Sequence, residues 1–279
     1  MTGKITSAQE AVEKIFVNLT RWRNLPKYQL ERRADIFFSL YLKDILEAKL
    51  SEDGNPVELS ELVIPEFPIQ QGNQHHTANV DYVMFSKDLA TVYLIEFKTD
   101  MGSLRPDQFA YLNAAKEKIV DKATGFKEIL NELWSVFAAT DDKQKYFHLF
   151  KLLEKYKLLE PLPDELESKL YSGRRQGISA IIDRMEIVPT QINAAVIVFI
   201  QPKDFSQDEI EKFEKFKLSE MTRITFENVI EYLNNISSPF SKLFATYIHE
   251  WTTAAGAESP EEVAAKLNLL ISKTPYTNQ

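Results

Sequence analysis

Two acidic residues and a lysine on neighbouring predicted strands are the part of this sequence best suited to chemistry. Asp81 lies in the apolar segment Val80 to Phe85, and Glu96 and Lys98 lie in the next such segment, Thr91 to Lys98. Since alternate residues of a strand share a face, the side chains of Glu96 and Lys98 leave the same side. Carboxylates beside a lysine suit a hard divalent cation and a reaction in which negative charge develops.

The two segments predict a hairpin, and its register decides whether the carboxylates meet. With the turn centred between Asp88 and Leu89, Asp81 faces Glu96. Directly opposed residues hold their Cβ atoms about 5 Å apart on one face. A loop of odd length would shift the pairing by one residue and separate the two acids. Because opposed carboxylates repel, we interpret the pair as ligands of Mg²⁺, with Lys98 holding an attacking water or stabilising charge on phosphorus.

Helices and strands alternate around this hairpin. Apolar spacing and turn residues predict strands over Leu62 to Gln70, Val80 to Phe85, Thr91 to Lys98 and Ile192 to Ile200, and helices over Ala11 to Thr20, Tyr28 to Leu50, Pro106 to about Val136, 207–218, 226–235 and 239–252. The pattern predicts one elaborated α/β domain. Its core would take in about 28–135 and 190–235, with a helical insertion at about 140–189 and C-terminal helices at about 237–273.

At this point the sequence resembles the PD-(D/E)xK nuclease superfamily, which has the restriction-endonuclease-like fold. The family signature is an Asp at the start of one strand, then Glu or Asp, any residue, and Lys on the next. Here these residues are Asp81, then Glu96-Phe97-Lys98, with Val80 in place of the family's Pro. The resemblance covers roughly residues 28–135 and implies a mixed central sheet flanked by helices.

The resemblance also implies further site residues. Asp81 and Glu96 would bind Mg²⁺ or Mn²⁺ with the carbonyl of Phe97. Glu31 on the first core helix is the preferred further acid, while Asp35 and Glu66 remain alternatives. Substrate or supporting contacts would come from Gln108 and Tyr111 at the start of the next helix. Apart from the resemblance, Arg174 and Arg175 lie in a stretch flanked by glycines in the insertion, where they could grip phosphate or belong to a solvated loop. RecB-type members space such a Gln and Tyr four residues apart, whereas here the spacing is three.

Composition narrows the classes of protein. The net charge of −8 argues mildly against nucleic acid over the whole surface, although a local basic face would suffice for binding. With no cysteine in the chain, thiolate metal sites and a cysteine nucleophile are excluded. No segment is apolar enough to span a membrane, and neither a P-loop nor a Gly-x-Ser-x-Gly elbow occurs. A cytoplasmic protein is therefore expected.

These observations lead to the expectation of a metal-dependent nuclease that hydrolyses DNA phosphodiester bonds. The partner would be nucleic acid, with DNA favoured over RNA and no membrane, and a homodimer or a protein partner is left open. One alternative is a catalytically silent nuclease-like domain that binds nucleic acid or a protein. Another is a structural α/β interaction module in which the hairpin register differs and Lys98 pairs with Glu96. Endonuclease or exonuclease action, sequence specificity and pathway are not determined by these residues.

Overall fold

A five-stranded mixed sheet forms the centre of the computed structural model, which describes residues 7–23, 25, 29–52, 54–71, 77–120, 125–171, 178–182 and 192–253. The strands are β1 (Leu59–Gln70), β2 (Thr77–Ser86), β3 (Thr91–Phe97), β4 (Ala194–Gln201) and β5 (Thr222–Thr225). They lie in chain order across the sheet. The pairs β1–β2 and β2–β3 are antiparallel, whereas β3–β4 and β4–β5 are parallel. The expected α/β class with a mixed sheet flanked by helices is confirmed.

Helices cover both faces of the sheet. They are α1 (Ala8–Trp22), α2 (Glu31–Ser39), α3 (Leu42–Leu50), α4 (Pro106–Val120), α5 (Phe126–Ala139), α6 (Lys143–Lys155), α7 (Asp164–Tyr171), α8 (Ile178–Ile182), α9 (Gln207–Lys212), α10 (Phe226–Asn235) and α11 (Pro239–Thr253). Among the described residues, no helix combines the length and the apolar character that a membrane span requires.

Two apolar cores form because successive strand residues point to opposite faces. On one face, Leu94 and Phe199 pack with Phe109 of α4 and with the helices of the insertion. On the other face, Phe97 packs with α2, α3, α10 and α11, including Phe38. Glu96 and Lys98 lie two and four residues after Leu94, and alternate residues of a strand share a face. Their side chains therefore leave the sheet on the side that α4 covers.

The predicted hairpin register is confirmed. Val83 pairs with Leu94 and Phe85 with Val92, and the same count places Asp81 level with Glu96. The loop between β2 and β3 has an even length, which keeps the predicted centre. Within it, Leu89 adopts a left-handed φ of 57° and the Ser86 hydroxyl accepts hydrogen bonds from the Ala90 and Thr91 amides.

The helix predicted over Tyr28 to Leu50 is in fact two helices, α2 and α3. The chain turns at Leu40 and Tyr41, and Tyr41 has φ −120° and ψ 1°, outside the helical range. Both helices bury their apolar residues in the same core, among them Phe38 and Ile45. The apolar spacing therefore continues across the break, and periodicity alone does not reveal it.

The helix predicted from Pro106 to about Val136 is also divided, into α4 and α5. Gly125 has φ +58°, and a Cβ added there would lie 2.8 Å from the carbonyl oxygen of Ile192. The amide of Phe126 donates to that same oxygen. A close approach to the segment that enters β4 therefore fixes this break, and the sequence of the helix itself does not contain that information.

The end of the chain differs from the prediction at two places. The helix expected over 207–218 ends at Lys212 and continues as two 3₁₀ turns, and β5 was not predicted. This strand has only four residues and buries only Ile224, so its alternation is too short to stand out. Helices α10 and α11 confirm the predictions over 226–235 and 239–252.

Candidate functional site

The site residues lie at the edge of the sheet where β3 and β4 end. The amide of Lys98 donates to the Ile200 carbonyl, which carries the parallel ladder one residue past β3. Glu96 and Lys98 are both almost fully buried, at 1% and 2% exposure. Charged residues are rarely buried unless they are paired, so the contacts of these two side chains decide what the site can do.

The Lys98 ammonium lies among four oxygen atoms. Its Nζ is 2.8 Å from Glu96 Oε1, 3.1 Å from the Phe97 carbonyl oxygen, 3.4 Å from Glu31 Oε1 and 3.9 Å from Asp81 Oδ2. These are the same four residues that the sequence predicted as metal ligands. The structure thus brings the predicted ligand set together around one positive charge.

Each acid reaches this point from a different element. Glu31 is the first residue of α2, Asp81 lies on β2 and Glu96 lies on β3. The Phe97 amide donates to Asp81 Oδ2 at 2.7 Å, which fixes the orientation of that carboxylate. The Asp81 and Glu31 side chains are 24% and 29% exposed, so the cluster opens to solvent on their side.

The two alternative acids take other positions. Asp35 lies one helical turn beyond Glu31, and its Oδ1 accepts a hydrogen bond from the Ile36 amide. Glu66 is level with Asp81 across β1 and β2, has a left-handed φ of 50°, and accepts a hydrogen bond from Asn79. Only Glu31 among the three contacts Lys98 in the described part of the chain.

Gln108 and Tyr111 of α4 both hold the Glu96 carboxylate. Gln108 Nε2 donates to Oε1 at 2.6 Å and the Tyr111 hydroxyl donates to Oε2 at 3.2 Å. The Tyr111 hydroxyl also lies 3.3 Å from the Asn79 carbonyl oxygen. Residues three apart share a helix face, so this spacing still places both side chains on one carboxylate.

Three carboxylates face one ammonium in this largely buried cluster, and the pKa values of Asp81, Glu96 and Lys98 are shifted. Burial, and then repulsion from Glu96, raises the pKa of Asp81 to about 8, despite the opposing attraction of Lys98. Burial also raises the pKa of Glu96. Burial lowers the pKa of Lys98, but Glu96, Glu31 and Asp81 together outweigh it and the net pKa is raised. The cluster therefore favours an additional positive charge, either a proton or a cation.

We expect the stability of chelator-treated protein to fall with pH because of Asp81. Its folded pKa of about 8 lies above the unfolded value of 3.8. The stabilisation from this group is therefore fully present below the pKa of the unfolded state. It is lost as pH rises through the pKa of the folded state. An Asp81→Asn variant lacks this loss, so its advantage over the parent in urea unfolding should grow from about pH 5 to pH 8, by at most about 1.4 kcal/mol per pH unit. An advantage that stays constant with pH would contradict the prediction.

The donor set fits a hard divalent cation. Carboxylate and carbonyl oxygens are the ligands that Mg²⁺ takes, and four of them already surround a single cationic atom, Lys98 Nζ. In the described residues, no group of three or more His, Asp or Glu side chains stands ready to hold a metal ion. The ammonium occupies the centre of the cluster in this conformation, and a bound cation would take its place among Asp81, Glu96, Glu31 and the Phe97 carbonyl.

Two buried amide oxygens beside the cluster have no hydrogen-bond partner among the described residues: Gln108 Oε1 and Gln201 Oε1. An unpartnered buried acceptor costs about 1–3 kcal/mol. Gln201 is fully buried at the end of β4, level with Lys98, and its Nε2 donates to the Lys203 carbonyl. The sequence analysis missed Gln201. The sequence feature that could have identified it is a single amide side chain at the end of an otherwise apolar strand.

Two of the predicted substrate contacts, Arg174 and Arg175, lie outside the described residues. The prediction that they grip phosphate therefore stays a prediction.

Comparison with known proteins gives no relative for this chain. No family model matches the sequence, and neither the curated proteins nor the solved structures contain a significant match.

Proposed function

We propose that this chain is a divalent-metal-dependent nuclease of restriction-endonuclease-like type that hydrolyses DNA phosphodiester bonds. The observation that carries the proposal is the convergence of Asp81, Glu96, Glu31 and the Phe97 carbonyl on the Lys98 ammonium. Such an arrangement has no structural justification in itself, because burying several like charges costs free energy. A cation and an anionic substrate together supply the missing partners.

The sequence motif and the sheet support the same proposal independently. Asp81 and the Glu96-Phe97-Lys98 tripeptide lie on two antiparallel strands that are followed by a parallel one, in a mixed sheet with helices on both faces. This is the arrangement that the resemblance to the PD-(D/E)xK superfamily implies. The preference for DNA over RNA, and for a 5′-phosphate product, comes from that resemblance alone.

The chain's own residues would divide the work of hydrolysis. A divalent cation bound by Asp81, Glu96 and the Phe97 carbonyl supplies charge neutralisation and water activation. Lys98, moved from the centre of the cluster, orients the attacking water and stabilises negative charge on phosphorus. Water forms the new P–O bond in line with the bond to the leaving oxygen, which breaks. The attacking water gives up one proton to solvent and the leaving oxygen takes one from water, so the products are a phosphate monoester and a hydroxyl.

Supporting contacts keep the reacting groups in place. Gln108 and Tyr111 each hold one oxygen of Glu96, so this carboxylate has a single orientation before the substrate arrives. The Phe97 amide does the same for Asp81. Such preorganisation lowers the reorganisation needed in the transition state.

The test is cleavage of DNA by the purified chain. We expect supercoiled plasmid and linear duplex to be hydrolysed in Mg²⁺ or Mn²⁺ and to stay intact in chelator. The reason is that hydrolysis requires the cation for charge neutralisation and water activation. Nicking or linearisation of the plasmid would identify an endonuclease, whereas degradation of linear DNA alone would identify an exonuclease. Binding of the cation and of DNA without any cleavage would overturn the enzyme proposal in favour of a silent nuclease-like domain.

A further inference from the structure

A cleft of about 620 Å³ lies where the chain leaves β4 and along β5, and it is also lined by the end of α3 and the start of α10. We refer to it as the β4–β5 cleft. The charged and polar side chains that line it include Lys49, Lys203, Asp204, Arg223, Thr225 and Glu227. The side chains of these residues take no part in the Lys98 cluster, and Lys203 touches the site through its backbone carbonyl, which accepts from Gln201.

The cleft and the active site share one edge because β3, β4 and β5 are parallel. Lys98 is tied to β4 through the Ile200 carbonyl, and Lys203 follows three residues later. Neighbouring strands are about 4.8 Å apart, so β5 lies roughly 10 Å from β3. That distance is about three base steps of one nucleic-acid strand at 3.4 Å each.

Two cations at the cleft are suited to contact phosphate. Lys203 is exposed and has no ion pair among the described residues. Arg223 Nε lies 3.4 Å from Asp204 Oδ1, and the arginine side chain is 33% exposed. The other N–H groups of its planar guanidinium are the fork that matches a phosphate. Lys49 differs, because Glu52 pairs with it at 2.7 Å.

The acids around the cleft decide which kind of phosphate fits. Asp204, Glu52 and Glu227 balance the three cations, so the cleft has little net charge with which to capture a free anion. A phosphate on a strand already held at the active site has a high effective concentration there, and weak contacts then suffice. This favours a nucleotide of the bound substrate over a free mononucleotide.

We propose that the β4–β5 cleft holds the sugar–phosphate backbone of the substrate strand next to the scissile bond, with Lys203 and Arg223 contacting phosphate. The inference rests on the proposed nuclease function and adds the path of the strand to it. From the Asp81–Glu96 site, the strand runs along the edge of the sheet past β4 to β5. Backbone contacts of this kind set position and register and carry no sequence information.

The experiment measures binding of a short labelled DNA duplex in Ca²⁺, at salt concentrations from about 50 to 200 mM. Lys203→Gln and Arg223→Gln should each weaken binding and lower the slope of log K against log salt by about 0.9, as the loss of one phosphate contact requires. The matched control is Lys127→Gln, since the adjacent Phe126 amide bonds to Ile192 at the opposite edge of the sheet. This control should leave the slope unchanged.

A second variant is expected to bind DNA more tightly, which is a result that misfolding would not produce. Asp204→Asn removes the carboxylate next to Arg223, so we expect DNA to bind about two to five times more tightly. If the parent cuts DNA but these variants keep its affinity and slope, the cleft is not on the strand path and the nuclease proposal stands. If the parent neither binds nor cuts DNA, both proposals fall. A free mononucleotide that binds the cleft as tightly as the duplex would also overturn the inference.

Discussion

Replacing Asp81 with Asn should reduce Mg²⁺-dependent cleavage by at least about a thousandfold, which corresponds to about 4 kcal/mol in the barrier. The amide keeps the size of the side chain and its oxygen still accepts from the Phe97 amide, so the hairpin is preserved. What is lost is the negative charge that would hold the cation between β2 and β3. A plasmid cleavage time course measures the effect directly.

The matched control is Glu61→Gln, which makes the same change on an exposed acid of β1. Glu61 is 79% exposed and pairs with Lys43, near the end of β1 that lies beside Ser86. Its variant should cut at the parental rate. The Asp81→Asn protein should also melt no lower than the parent at neutral pH, because one of three crowded carboxylates is gone. Parental cleavage by Asp81→Asn would remove this residue from the mechanism.

Lys98→Met should destabilise the metal-free protein by about 3–5 kcal/mol, as expected when one partner of a buried charge cluster is removed. The side chain is 2% exposed, and its ammonium is the single cation that contacts Glu96, Glu31 and Asp81 within the described residues. Met fills a similar volume without the charge, so the loss reports electrostatics more than packing. Urea unfolding in chelator measures it.

The same variant separates the two roles of Lys98. Since the cation and the ammonium share the cluster, Mg²⁺ should raise the melting temperature of Lys98→Met by more than that of the parent. Cleavage should nevertheless be lost, because no lysine remains to orient the attacking water and to stabilise negative charge on phosphorus. The control is Lys87→Met, whose ion pair with Glu58 is exposed at both ends, and its stability should stay close to that of the parent, because exposed ion pairs contribute little.

If Mg²⁺ raised the melting temperature of Lys98→Met and of the parent equally, this would contradict the proposal that the cation and the ammonium occupy the same position in the cluster. It would mean that the cation, if it binds at all, does so without displacing the ammonium. Loss of the buried charge with no change in unfolding free energy would contradict the electrostatic account of the cluster itself.

The central hairpin could be predicted from the sequence because its determinants are local. The alternation of apolar residues in β2 and β3 and the even loop between them fix which side chains meet, and the pairing of Val83 with Leu94 follows. Gln108 and Tyr111 were predicted from the family resemblance, and their helical spacing, a local property, lets both reach one carboxylate.

Other features could not be predicted because they depend on residues far apart in the chain. The break before Phe126 is set by the carbonyl of Ile192, and the choice of Glu31 over Asp35 depends on how α2 packs beside β3. A helical wheel gives the direction of a side chain about its own axis, but it does not place that axis relative to a sheet.

By itself, the sequence determined the two strands of the hairpin and the acids and lysine that they carry, because strand pleating acts over a few residues. It left the register dependent on the loop length, which the structure shows to be even. Only the tertiary structure decided that Lys98 lies at the centre of the acids, that Gln201 is buried beside it, and that the β4–β5 cleft continues the same edge. The physical reason is that two cores pack from opposite faces of one sheet, so these contacts exist only when all the surrounding helices are in place.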